Sequence, residues 1–122
     1  NEVEAKSILP SFSLRNKRAS LEGIQKKLSV ENVVVKVGEH GSVAMLGNEY
    51  LEADPLPVKP LDPSGAGDAF LGNLALSGTS ITRADLERAN VWAALSTTTI
   101  GTARPALHAY KKHLKRRRLD QQ

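Results

Sequence analysis

Asp62-Pro63-Ser64-Gly65-Ala66-Gly67-Asp68 is the stretch on which the reading of this chain turns. Three small residues in succession, Gly65, Ala66 and Gly67, let backbone N–H groups face one point with no side chain in the way. The residues after Asp68, Ala69-Phe70-Leu71-Gly72-Asn73-Leu74-Ala75-Leu76, are apolar at helical spacing. A helix starting here adds its dipole and unpaired donors, which suits a phosphate or a developing oxyanion. Asp68 falls in the first turn of that helix, where a carboxylate can take a proton from a hydroxyl attacking phosphorus. An anion hole beside a base is what phosphoryl transfer to an alcohol needs. The same seven residues also suit a tight connection followed by an ordinary helix-stabilising Asp. They are not a Walker-type phosphate loop, because no Gly-Lys-Ser/Thr closes the run.

Before this turn, Asp54 to Pro63 holds four of the six prolines, so the approach is extended and stiff. Further upstream, Asn32-Val33-Val34-Val35-Lys36-Val37 is a β-branched run that predicts a buried strand. Gly38 and Gly41 bracket a tight turn, Ser42 to Leu46 reads as a second strand, and Gly47-Asn48 turns into a short return strand at Glu49-Tyr50-Leu51. Residues from Glu2 to about Leu9 suit a short helix that stops before Pro10, and Ser20 precedes Leu21, Ile24 and Leu28 at amphipathic spacing. Downstream, Thr82 and Asp85 form an N-cap pair. Leu86, Ala89, Ala93 and Ala94 mark one face of a long helix that Ile100-Gly101 should end, and Pro105 opens a last helix. This order is part of an α/β domain whose remaining strands are absent. Trp92 reads as core, and His40, His108 and His113 show no metal-ligand spacing.

Composition narrows the classes. With 122 residues, 40% hydrophobic and 25% charged, the chain is long enough for one compact domain or a large piece of one. It has no cysteine, which excludes disulfide scaffolds, thiolate metal sites and cysteine nucleophiles. No apolar run approaches the ~18 residues of a membrane span, and the polar start Asn1-Glu2-Val3-Glu4 is unlike a signal peptide. A reducing cytoplasm fits, and no membrane partner is expected. The net charge of +4 sits mostly in Lys111 to Arg118. That run can touch nucleic acid or an acidic surface, and the simpler reading is a solvated basic end of a last helix.

Asp62 to Phe70 closely resembles the C-terminal signature of the ribokinase-like (phosphofructokinase B-type) carbohydrate and nucleoside kinases, Asp-Thr-x-Gly-Ala-Gly-Asp followed by small residues. Three further segments fall in that family's order. Asn1 to Glu4 matches Asn-x-x-Glu, and Lys36 to Gly41 matches the Lys/Thr-x-Gly-x-x-Gly turn. Ala89-Asn90 to Ala94, Ser96 to Gly101 and Pro105 match the late helix, loop and proline. Two positions depart from the pattern: Pro63 stands for the usual Thr, and Asn73 for a small residue on the signature helix.

The resemblance implies a ribokinase-like three-layer α/β/α (Rossmann-like) fold, present here as its C-terminal portion only, without the lid domain. It makes residues 1–122 the nucleotide-binding and catalytic part of an incomplete domain, with 111–122 as a basic tail. It implies transfer of the γ-phosphoryl group of ATP to a hydroxyl of a small sugar or nucleoside, with Asp68 as base and the N–H groups of Gly65, Ala66 and Gly67 as anion hole. Lys36, Gly38 and Gly41 would lie along the nucleotide phosphates and ribose, with Asn90 near the adenine. Asn1 and Glu4 would hold Mg2+ and phosphate through water. Asp62 and Ser64, with carbonyls from Thr98 to Gly101, resemble a K+ site. The family's N-terminal part, which supplies the acceptor pocket and lid, has no counterpart here, so the missing part of the kinase is an expected partner. A chain lacking an initiator Met is expected to be a processed product or a portion of a longer protein, inactive by itself. A homodimer is admitted, and nucleic acid is not an expected partner. The contrasting expectation is a non-catalytic kinase-like structural or nucleic-acid-associated module.

Overall fold

Pro10 and the glycines at 38, 41, 47 and 65 punctuate the chain where its elements change, giving the order helix, helix, three strands, glycine turn, three helices. The structure is a computed structural model that describes residues 1–101 and 104–120. It separates into two compact units, Asn1–Asp54 and Pro55–Gln122.

In the first unit, α1 (Glu2–Ile8) starts at an Asn1 capping box and stops ahead of Pro10, which disfavours helix in the residue before it. A 3-10 turn at Leu14–Asn16 leads straight into α2 (Lys17–Leu28). Helix α2 therefore begins three residues before Ser20, and Ser20 lies in its first turn. Its buried hydroxyl accepts from the Ser13 N–H at 2.9 Å and donates to the Ser13 carbonyl at 3.2 Å, folding the 13–20 segment on itself. Leu21 and Ile24 are buried as their spacing predicts. Leu28 is 48% exposed instead, because Ser29 in a left-handed conformation (φ 53°) ends the helix before that turn reaches the core.

Strands β1 (Asn32–Lys36), β2 (Ser42–Leu46) and β3 (Glu49–Ala53) form an antiparallel sheet in chain order. Val33 pairs with Met45 and Val35 with Val43, so these four share a face and pack with Ala5, Phe12, Leu21 and Ile24. Burying a side chain the size of Leu21 or Met45 contributes about 1.5–3 kcal/mol. The Gln25 amide donates to the Glu31 carbonyl at 2.6 Å and the Gly47 carbonyl at 2.9 Å, fastening α2 to the end of the β1–β2 pair where β1 starts and β2 finishes.

In the second unit, residues 55–63 make no helix or strand, as their prolines require. Helices α3 (Ala66–Ala75) and α5 (Leu107–Asp120) both pack on α4 (Arg83–Ser96). Phe70, Leu74, Leu86, Ala89, Val91, Ala93 and Leu95 are the buried apolar residues of α3 and α4. Thr82 caps α4 with Asp85 as its spacing predicts: the Thr82 N–H donates to Asp85 Oδ2 at 2.8 Å. Helix α4 stops at Ser96, four residues short of Ile100. The hydroxyls of Ser96, Thr97, Thr98 and Thr99 each donate to the carbonyl three residues back, at 2.6, 2.6, 2.7 and 3.0 Å. They take the carbonyls that another helical turn would have used. Pro105 lies two residues ahead of α5 rather than in its first turn. Residues 121 and 122 of the basic tail, and the Arg118 side chain, lie outside the described residues. Among the described residues no helix is long and apolar enough to cross a membrane.

Candidate functional site

The 62–68 turn is held by its own polar groups. Asp62 Oδ1 accepts from the Ser64 N–H at 2.9 Å, and Oδ2 accepts from the Gly101 N–H at 2.7 Å. The Thr97 carbonyl receives two donors, the N–H groups of Leu61 at 2.7 Å and Asp62 at 2.9 Å. The turn is thereby fixed to the loop that leaves α4. Hydrogen bonds from the Ser64 N–H and hydroxyl, then the Gly101 N–H, hold the Asp62 carboxyl below its usual range and outweigh the opposing effect of burial. Asp62, Ser64 and Gly101 thus meet in one place.

Gly65 adopts φ +76° and forms the N-cap of α3, a conformation that L side chains rarely take. Pro63 has no N–H to give, yet its carbonyl accepts from the Ala66 N–H at 3.2 Å and closes the turn. The Ala69 N–H reaches back to the Gly65 carbonyl at 2.9 Å. Gly67 and Asp68, at the second and third helical positions, precede the first residue whose N–H can bond within the helix. A Cβ added at Gly67 would meet nothing within 4 Å, so space stands over this part of the turn. Asp68 is exposed beside it.

Asn73 acquires a physical account. It is 7% exposed, its Oδ1 accepts from Arg88 Nε at 3.1 Å, and its Nδ2 donates to the Tyr110 hydroxyl at 3.4 Å. Arg88 also donates to Ser77 Oγ at 2.7 Å and pairs with Asp85 Oδ1 at 2.8 Å. Burial pushes the Asp85 carboxyl up, but hydrogen bonds from Thr82 and Ser77 and the Arg88 charge outweigh it and leave it depressed. This network ties α3, which carries Asp68, to α4 and α5. Sequence reasoning noticed Asn73 as a misfit but not Arg88. The only local sign was its i,i+3 spacing from Asp85, because the Asn73 partnership is tertiary. Asn90 is buried on α4. Trp92 is half-buried and stands edge-on to Tyr110, with ring centroids 5.0 Å apart and planes at 81°.

In the first unit, Asn1 and Glu4 meet as the two halves of the α1 capping box. Asn1 Oδ1 accepts from the N–H groups of Val3 at 2.9 Å and Glu4 at 3.1 Å, and Glu4 Oε2 accepts from the Asn1 amino group at 2.5 Å. Lys36 ends β1 half-buried, and burial lowers its pKa. Gly38 begins a 3-10 turn at φ +60°, and Gly41 closes it at φ +88°, ψ −130°. The Val37 N–H donates to the Gly41 carbonyl at 3.0 Å across that turn. An added Cβ at Gly38 would meet nothing within 4 Å. Among the described residues no three acidic or imidazole side chains converge on a metal position.

The chain is 28% identical to the deoxyribokinase of Salmonella typhi over 117 residues, 93% of this chain and 38% of that protein. It superposes on the crystal structure of a ribokinase from Thermotoga maritima with a TM-score of 0.76 at 26% identity, covering 93% of this chain and 39% of the other. A fructokinase double mutant from Vibrio cholerae O395, in its fructose, ADP and potassium ion bound form, gives 0.74 at 28% identity over 93% and 38%. The fold is ribokinase-like, and the chain spans well under half the length of these relatives. Residues 1–109 match the pfkB family carbohydrate kinases, and the chain belongs to that family.

Proposed function

We propose that this chain supplies the phosphate-binding turn and the catalytic base of an ATP-dependent kinase acting on a hydroxyl of a small sugar or nucleoside. The observation that carries the reading is the turn at 62–68. Gly65 starts a helix in a conformation reserved for glycine, Gly67 leaves open space above the first turn, and Asp68 is exposed next to it. The donor set fits an anion there, since the first-turn N–H groups at Gly67 and Asp68 point out of the helix start. The Ala66 N–H is shared with the Pro63 carbonyl, so Gly67 carries more of the anion contact than Ala66.

In this reading Asp68 takes the proton of the attacking hydroxyl while the turn holds the anionic oxygens of the group being transferred. Lys36, Gly38 and Gly41 line the nucleotide, with Asn90 toward its base. Asn1 and Glu4 offer oxygen ligands for magnesium through water, which would neutralise phosphate charge when bound. Asp62, kept ionised, and Ser64 offer oxygens for potassium alongside the 98–101 loop. The fructokinase relative binds fructose, ADP and potassium, which supports a sugar as acceptor and potassium as the accompanying ion. The acceptor pocket and the lid belong to the part of the kinase beyond these residues, and the cytoplasm is the compartment that suits the activity.

A coupled ATP-turnover assay on the intact protein tests this, with magnesium, potassium and a panel of sugars and nucleosides. Acceptor-dependent turnover is expected, and Asp68→Asn should lower it by about 10²–10⁴ while ATP binding is retained. Near-normal turnover in the variant would remove the base assignment. A folded protein that is inert toward every acceptor would overturn the kinase reading and leave a non-catalytic descendant.

A further inference from the structure

The basicity of the chain is confined to a segment that the family match leaves out. Residues 110–122 carry six Lys or Arg and one Asp, a net +5, whereas residues 1–109 carry eleven basic and twelve acidic residues, a net −1. Within α5, Lys111, Lys112, Lys115 and Arg116 are all exposed. At 100° per residue they occupy an arc of about 140°, which His108 shares. The other side of the helix is spent on packing. Tyr110 meets Trp92, His113 and Leu114 are half-buried, and Arg117 donates to the Pro55 carbonyl at 2.5 Å. Among the described residues none of the four cations is in an ion pair.

The helix dipole does not account for this face. A favourable effect on cations is limited to the last turn, and all four precede residues 117–120. Lys111 with Lys115, and Lys112 with Arg116, are like charges at i,i+4, which cost a few tenths of a kcal/mol each in an isolated helix. A face that opposes its own helix points to an external anion.

We propose that the cationic face of α5 is a docking surface for nucleic acid, held through the phosphodiester backbone without sequence readout. Four cations along about 8 Å of helix match a polymer that carries a charge every ~1.7 Å of axis. An anionic membrane fits less well, because an interfacial helix buries an apolar face. Between the cations this arc takes in His108 and Leu119 alone, too little for the broad apolar face of an interfacial helix, and Tyr110 is already packed on α4.

The test is fluorescence anisotropy of a labelled duplex of roughly 20 base pairs, and of its single strand, titrated with the intact protein. Vesicles containing phosphatidylserine form a parallel arm. Up to four neutralised phosphates predict an affinity that falls about a hundredfold between about 50 and 200 mM salt. Replacing all four cations by Gln should abolish binding at the lower salt, and Lys112→Gln alone should reduce the logarithmic salt slope by about one. Lys26→Gln/Lys27→Gln, exposed on α2, should change nothing. If the quadruple variant fails to fold by circular dichroism, Lys112→Gln/Arg116→Gln carries the test with an intermediate loss. Unchanged binding in these variants, a flat salt dependence, or capture by vesicles with no affinity for either nucleic acid would each overturn the proposal.

Discussion

Arg88→Met keeps much of the aliphatic stem and removes the guanidinium that joins Asn73, Ser77 and Asp85. A hydrogen bond from a charged donor is worth about 1.5–3 kcal/mol taken singly, but the three share one desolvation and are not additive. The Arg88 side chain is 29% exposed, so water replaces part of what is lost. The Asn73 oxygen, on a residue only 7% exposed, is left without its donor, which costs about 1–3 kcal/mol. The combined loss should be about 3 kcal/mol, or roughly 10 °C in Tm for a protein of this size. Urea unfolding with an unchanged m-value and scanning calorimetry would measure it. A double-mutant cycle with Asn73→Ala should show coupling of about 1 kcal/mol or more. A loss under about 0.5 kcal/mol, or strictly additive Arg88→Met and Asn73→Ala effects, would show that the network fills space without holding α3 to α4.

Gly67→Val separates fold from function. Its Cβ has open space, so unfolding free energy should change by at most about 1 kcal/mol, while the turnover proposed for the intact protein should collapse; full activity would show that nothing binds over the turn. Gly41→Ala forces an L residue into φ +88°, ψ −130° at a buried position and should cost about 1–3 kcal/mol in urea unfolding, with a smaller cost refuting the conformational requirement. Asp62 and Asp85 both have depressed carboxyl pKa values, so the unfolded chain takes up protons first as pH falls. Their stabilisation is complete above the unfolded carboxylate pKa of about 4 and is lost as pH drops through the lower folded values. Urea midpoints should fall below that pH, and less steeply in Asp62→Asn/Asp85→Asn. An identical acid dependence would contradict the assignment.

Local chemistry made most elements legible. The Val33-Val34-Val35 run, the Gly38–Gly41 turn, the Thr82–Asp85 cap and the glycine turn each state their structure within a few residues, and each forms where its pattern predicts. The errors came where a distant or competing group decided. Leu28 looked part of the apolar face until Ser29 ended α2 at that turn, and α4 looked longer until four consecutive hydroxyls took its last carbonyls. Asn73 was visible as an anomaly, but its explanation lies with Arg88 and Tyr110, 15 and 37 residues away. At the turn, the sequence named Asp62, Ser64 and Gly101 as associates without the means to say that one carboxylate joins the other two through their N–H groups.

That carboxylate also couples events in time. The amide protons of Leu61 and Asp62 are held by the Thr97 carbonyl, and that of Gly101 by Asp62 itself. Separating the turn from the loop after α4 releases all three at once. Their hydrogen–deuterium exchange should therefore follow a single opening equilibrium, although Leu61 and Gly101 stand forty positions apart in the chain. A cation or nucleotide phosphate that settles on this turn would slow the three exchange rates by a common factor.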